Sequence, residues 1–249
     1  MINLYRIPKI FINSVPKSGT NLLLQIIEGI PNLKRVQEKD LFHIKQGAFV
    51  TAHLPFDKDT LYKLKQQEIK QLFIYRDLRD VTVSLRHFIN NKFHDHPLHR
   101  VFKTRLVSKD EQLNALICGI DLVDEEKNNK WGLLHYPGVY QELRSIYEWA
   151  KVTSICSLKF EDLIDEKSVD KVVLSIIDYL FEDSNETQLD KFHLLKLMKE
   201  NNDPKKSWTF RSGKIGSWKD EFTMEHKETF KKITGDFLID FEYEKDNNW

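Results

Sequence analysis

Short apolar, β-branched runs alternate with stretches of helical period along this chain. That alternation constrains the fold more than any other feature, because it predicts a parallel sheet with helices packed on it. Ile10–Val15 reads as the first strand, and Asn21–Gly29 as a helix that Pro31 stops. Ala48–Ala52 is a short second strand, Asp57–Gln67 a helix with Asp57 as N-cap, and Lys70–Tyr75 a third strand. Asp80–Asn91 carries an apolar stripe at Val81, Leu85 and Phe88 and reads as a helix. Residues 94–108 lack a clear period and are expected to be a loop or irregular helix. Lys109–Asp121 and Val139–Val152 read as helices, Thr153–Phe160 as a buried strand, and Val169–Leu180, Thr187–Met198 and Met224–Thr234 as helices. Residues 201–217 are polar, hold Pro204, Gly213 and Gly216, and read as a long loop. At 249 residues, 41% hydrophobic, the chain can bury one sizeable core: a single α/β domain over residues 1–249, or two smaller ones.

Four stretches carry the chemistry. The first is IFINSVPKSGTNLLLQII, residues 10–27. Its Pro16-Lys17-Ser18-Gly19-Thr20 lies between a strand and a helix, where successive backbone N–H groups converge at the positive end of the helix and suit a phosphate or sulfate. Ser18, Thr20 and Asn21 add side-chain donors and Lys17 a charge. A Walker A loop reads GxxxxGK[ST]; here Lys17 precedes Gly19 and the first glycine is missing. The bland alternative is an ordinary βα turn. The second stretch, LFIYRDLRDVTVSLRHF, places Arg76 at the C-terminal end of a strand, where ligands bind in parallel sheets, and Ser84 in the following helix. Arg76 could equally pair with Asp77 or Asp80. The third, FVTAHLPF, places His53 after a short strand, suited to general base work or to a structural role. The fourth, FRSGKIGSWKDEFT, offers Arg211, Lys214 and flexible glycines for closing over an anion.

Together the four stretches resemble the PAPS-dependent sulfotransferase family, whose sulfuryl donor is 3′-phosphoadenosine 5′-phosphosulfate. They occur in the family's order, from near residue 10 to near residue 225. The resemblance implies a P-loop-like nucleotide-binding core in which Lys17, Ser18, Gly19, Thr20, Asn21 and Leu22 form the 5′-phosphosulfate loop. It implies that Arg76, Ser84 and the segment Phe210, Arg211, Ser212 and Gly213 bind the donor, with the 3′-phosphate held by Arg76, Ser84 and Arg211. It assigns proton removal from the acceptor to His53 and stabilisation of the leaving oxygen to Lys17. Two departures stand out. Leu22 stands where the family has a tryptophan that stacks on adenine, while Phe160 matches a family tyrosine near the adenine. Ser212 stands where the family has a lysine beside the 3′-phosphate, a loss that Lys214 could make good. The family needs no metal, and none is expected. His94, His96 and His99 fit no standard zinc spacing. Lys219–Glu228 resembles the family's short dimerisation motif, with Met224 for valine, and so implies a homodimer; the alternative is a helix start capped by Thr223.

Composition narrows the partners. The 38 basic residues balance 38 acidic ones, which argues against a protein that coats nucleic acid. No apolar run approaches the roughly 20 residues of a membrane helix, and Met1–Pro8 lacks the apolar centre of a secretory signal. Cys118 and Cys156 lie far apart in apolar contexts and read as buried thiols. The expectation is a cytoplasmic enzyme acting on a small-molecule acceptor, with residues 94–108 and 121–137 shaping the acceptor pocket. The competing readings are a P-loop kinase or nucleotidase, which would want a lysine after Gly19, and a non-catalytic nucleotide-binding module.

Overall fold

The computed structural model of the chain describes residues 6–123, 133–182, 189–209 and 212–249. Its contacts divide it into two compact units. One holds Met1–Arg76 and Ser145–Gly213, the other Asp77–Arg144 and Lys214–Trp249. The strands among the described residues are β1 (Lys9–Ser14), β2 (Lys34–Arg35), β3 (Ala48–Ala52), β4 (Ile69–Tyr75), β5 (Ile120–Val123), β6 (Leu133–Tyr136) and β7 (Cys156–Lys159). No helix among them is long and apolar enough to cross a membrane.

The first unit is built on a five-stranded sheet in the order β2-β3-β1-β4-β7, with every pairing parallel. This is the parallel sheet flanked by helices that the alternating pattern predicts. Ile10, Phe11 and Ile12 are fully buried in β1, as befits a central strand covered on both faces. The helix Thr20–Glu28 presses Leu23, Leu24, Ile26 and Ile27 into a core shared with Ile74 of β4, Leu158 of β7 and Ile176 and Ile177 of the helix Val169–Leu180. It stops at Gly29, where a Cβ would come within 2.5 Å of the Met198 Cα in the helix Lys191–Glu200. Only glycine lets the two backbones approach so closely. The sheet order places β3 on one side of β1 and β4 on the other. The chain therefore changes direction around β1, and a crevice opens beyond the C-terminal ends of these three strands, where ligands bind in open parallel sheets.

The second unit packs the helices Leu78–Asn91, Pro97–Thr104 and Lys109–Cys118 around Ile89, Leu98, Phe102, Leu116 and Tyr136. Here the structure corrects the sequence reading in two places. Within residues 94–108 there is a regular helix, capped by His96, whose Nδ1 accepts from the Leu98 N–H at 3.1 Å. The helix expected over Lys109–Asp121 ends at Cys118, and β5 pairs antiparallel with β6. Arg79 anchors this unit. Its guanidinium lies 3.8 Å from the Trp218 ring centroid and 4.4 Å from that of Trp249, and it pairs with Asp77 and Glu244, each at 2.6 Å. Thr223 caps the helix Met224–Thr234 through a reciprocal pair of bonds with His226, and Met224 is left exposed. Of the two cysteines, Cys156 is half-buried, whereas Cys118 is exposed and not buried as expected.

Candidate active site

Three chain segments leave the crevice edge of the first unit: the loop after β1, His53 after β3, and Arg76 after β4. The loop turns through two left-handed residues, Lys17 at φ 67° and Gly19 at φ 93°. A lysine there is strained by of the order of 1 kcal/mol or more, a cost often met at functional sites. Between them Ser18 is fully buried. Its hydroxyl lies 2.6 Å from the Val15 carbonyl and 3.0 Å from that of Ile74, and its N–H donates to Val15. The sequence reading expected Ser18 to offer its hydroxyl to an anion; instead that hydroxyl pins the loop to the ends of β1 and β4. Gly19 then starts the helix, and having no side chain it gives the first-turn N–H groups no cap of its own. A Cβ on Gly19 would come 2.4 Å from Cδ2 of Phe160. Phe160, only 5% exposed, packs between this glycine and the Arg76 guanidinium, which lies 4.3 Å from its ring centroid. Phe160 therefore braces the loop and the arginine from beneath. Arg76 is itself buried, and its carbonyl accepts from the Tyr147 hydroxyl at 2.6 Å.

His53 is exposed, and its Nδ1 lies 2.8 Å from the Ser14 carbonyl and 3.1 Å from the Ser14 hydroxyl. A carbonyl only accepts, so Nδ1 carries the proton of the neutral ring and Nε2 keeps its lone pair. Ser14 Oγ then accepts from Nδ1–H and can give its own proton to Thr20 Oγ1, 2.9 Å away. That order leaves the Thr20 hydroxyl proton for whatever enters the cleft that Thr20 and His53 both line, a space of about 580 Å³. The backbone just after His53 is held as firmly. The Asn13 side-chain oxygen accepts from the Leu54 N–H at 2.9 Å, its amide donates to the Leu54 carbonyl at 2.9 Å, and Trp149 Nε1 donates to the same carbonyl at 3.0 Å.

The remaining predicted residues divide. Asn21 donates to the hydroxyls of Ser207 (3.1 Å) and Thr209 (2.7 Å) and so ties residues 207–209 to the start of its helix. Leu22 is half-buried and packs on the core. Ser84 is half-buried in the helix Leu78–Asn91 of the second unit. Ser212 is exposed, and Gly213 takes a left-handed conformation at φ 64°. Phe210 and Arg211 lie outside the described residues, as does the solvated turn expected within 124–130. The late glycine segment is less loose than the sequence suggests. Gly216 N–H and Trp218 N–H both donate to the Asp80 carboxylate, at 2.8 and 3.0 Å, and Lys214 pairs with Asp220 at 2.5 Å. Sequence reasoning passed over Asn13 and Ser14, which orient His53. The available signal was two polar residues closing an otherwise apolar strand.

The family model described as the sulfotransferase domain matches residues 35–242, starting beyond the loop at 16–22 and spanning parts of both units. Sulfotransferase 2A6 of Mus musculus is 26% identical over 268 aligned residues, covering 93% of this chain and 85% of its own. Amine sulfotransferase of Oryctolagus cuniculus is 23% identical, covering 93% and 81%. Among solved structures, mouse sulfotransferase SULT7A1 in complex with PAP is similar in fold, with a TM-score of 0.65 at 19% identity, over 95% of this chain and 86% of that one.

Proposed function

The chain belongs to the sulfotransferase domain family, and from that premise we propose that it moves a sulfuryl group from 3′-phosphoadenosine 5′-phosphosulfate to a hydroxyl or amine of a small-molecule acceptor, with His53 as base and Lys17 at the leaving group. The observation that carries this reading is the bond between His53 Nδ1 and the Ser14 carbonyl, which leaves Nε2 as an acceptor beside the helix-start loop. In the reaction the acceptor oxygen or nitrogen attacks sulfur and its proton passes to Nε2. The bond from sulfur to the oxygen bridging phosphorus breaks, and 3′,5′-adenosine bisphosphate (PAP) leaves with the bonding pair. Negative charge grows on that bridging oxygen, and a cation or aimed N–H there is worth roughly 3–4 kcal/mol. Lys17 and the uncapped start of the helix Thr20–Glu28 suit that task. Arg76 is read as a ligand of the 3′-phosphate, held in place by Phe160 beneath it. The exposed Met224 is consistent with self-association through Lys219–Glu228, which sedimentation at rising concentration would test.

The test is thermal unfolding with PAP against ATP plus magnesium, followed by transfer assays. A ligand at 100 times its Kd stabilises by about 2.7 kcal/mol. PAP should give that shift and ATP–magnesium should not. His53→Ala should keep the shift and nearly lose transfer to an alcohol, since a positioned base supplies a factor of about 10²–10⁴. Lys17→Ala should also lose turnover far more than PAP binding. Stabilisation by ATP–magnesium alone, or near-parental transfer by the His53 variant, would defeat the reading.

A further inference from the structure

The cleft beside His53 has a second charged feature that the reaction itself does not require. Arg35 closes β2, the short edge strand paired with β3, and its Nη2 donates to Thr51 Oγ1 at 3.1 Å. Thr51 lies in β3 and His53 follows it by two residues, just past the strand end, and both line the cleft together with Arg35. The guanidinium is therefore tethered in the same cleft as the base, and its other N–H groups take no partner among the described residues. A guanidinium presents its donors in a fixed planar fork that matches the oxygens of a carboxylate or phosphate.

We propose that Arg35 is the specificity residue of the acceptor site: it receives an anionic group, carboxylate or phosphate, carried by an acceptor whose hydroxyl or amine stands at Nε2 of His53. This rests on the sulfotransfer reading and adds the acceptor class to it. Because Arg35 and His53 line one cleft, a single small acceptor that carries both the anion and the nucleophile can reach the two. One other charged residue in the cleft bears on the choice. Glu38 also lines it and would favour a cationic acceptor, but its carboxylate takes no partner among the described residues, whereas Arg35 is fixed by Thr51. A side chain already ordered loses less freedom when it binds. The donor is anionic as well, so Arg35 must be separated from a role in donor binding, and the experiment does so.

The probes are 4-hydroxybenzoate, which carries a carboxylate across the ring from its phenolic hydroxyl, and its neutral methyl ester. Transfer from labelled donor to each is compared as a ratio of kcat/KM, and PAP affinity and 4-hydroxybenzoate affinity are measured by calorimetry. The parent should favour the acid by roughly tenfold, the lower end of what a charge-assisted hydrogen bond gives at an exposed site. Arg35→Ala should bring the ratio to within about twofold of one, and Arg35→Lys should keep part of the preference. Glu38→Gln should leave the preference in place or raise it. A parent without the preference, an Arg35→Ala variant that keeps it, or an Arg35→Ala loss of PAP affinity as large as its loss of acid affinity would overturn the proposal. If neither probe is sulfated while acid binding still depends on Arg35, the acceptor proposal is overturned and Arg35 stands as an anion site, while the sulfotransfer reading is decided separately by the PAP shift and the His53 variant.

Discussion

Gly19→Ala tests whether the loop, Phe160 and Arg76 form one packed unit. The substitution has two costs. The residue sits at φ 93°, where an L side chain is strained by about 1–2 kcal/mol. The new Cβ would also stand 2.4 Å from Cδ2 and 2.9 Å from Cε2 of Phe160. Relief requires the ring to move by about 1 Å to reach ordinary carbon–carbon contact. The ring is 5% exposed, with the Arg76 guanidinium 4.3 Å from its centroid, so the strain is shared with the arginine. Overpacking of this kind costs about 1–3 kcal/mol, and the sum is about 2–5 kcal/mol. Urea denaturation reads the stability, and PAP titration reads the arginine. Phe160→Leu removes the clashing edge, so in that background Gly19→Ala should retain only the backbone part of its cost. The expected coupling is about 1–3 kcal/mol, less than additive. Additivity within about 0.5 kcal/mol, or a Gly19→Ala variant as stable as the parent, would show that the ring does not brace the loop.

Asn13→Ala should cost about 1–3 kcal/mol in urea denaturation, because the half-buried Leu54 N–H loses its acceptor, the buried Asn13 side chain; transfer to a hydroxyl acceptor should fall more than PAP affinity does, and equal losses would make Asn13 a stability residue only. Glu221 gives a pH prediction. Burial pushes its carboxyl up, but the hydrogen bond from His87 and the charge of Arg86 outweigh that and hold it at about 2, below the ordinary 4.5. The folded-state value is depressed, so this contribution is complete above about pH 4.5 and is lost as pH falls toward 2. Glu221→Gln should flatten the fall in urea midpoint between pH 5 and 3, and an unchanged slope would refute the assignment.

What could be read from the sequence was the chemistry at strand ends. β1, β3 and β4 are short apolar runs, and the residues after them, Lys17, His53 and Arg76, emerge where a parallel sheet presents its ligand edge. What escaped the reading lacked a local signature. β2 has two exposed residues, and Arg35 becomes interesting only when β3 brings Thr51 beside it. The hairpin of β5 and β6 is two four-residue pieces separated by a charged stretch, too short for a period of two to show. The helix Pro97–Thr104 has apolar Leu98, Val101 and Phe102 at helical spacing, but its cap is an imidazole rather than a hydroxyl or carboxylate, so its start went unseen.

Asn13 and Ser14 show where such reading reaches its limit. An asparagine inside a strand of fully buried apolar residues must find hydrogen-bond partners or destabilise the fold, so its presence alone requires a polar partner close by. Nothing local can say which one, since the partner, Leu54, lies 41 residues on. Once β3 lies beside β1 in the observed register, with Asn13 opposite Ala52, the answer is geometric. The residues just beyond Ala52 are then the ones that Asn13 and Ser14 can reach. Asn13 takes the backbone of Leu54 and Ser14 takes the ring of His53. Register, rather than any feature of the histidine's own neighbourhood in sequence, is what fixes the tautomer and leaves Nε2 able to accept a proton.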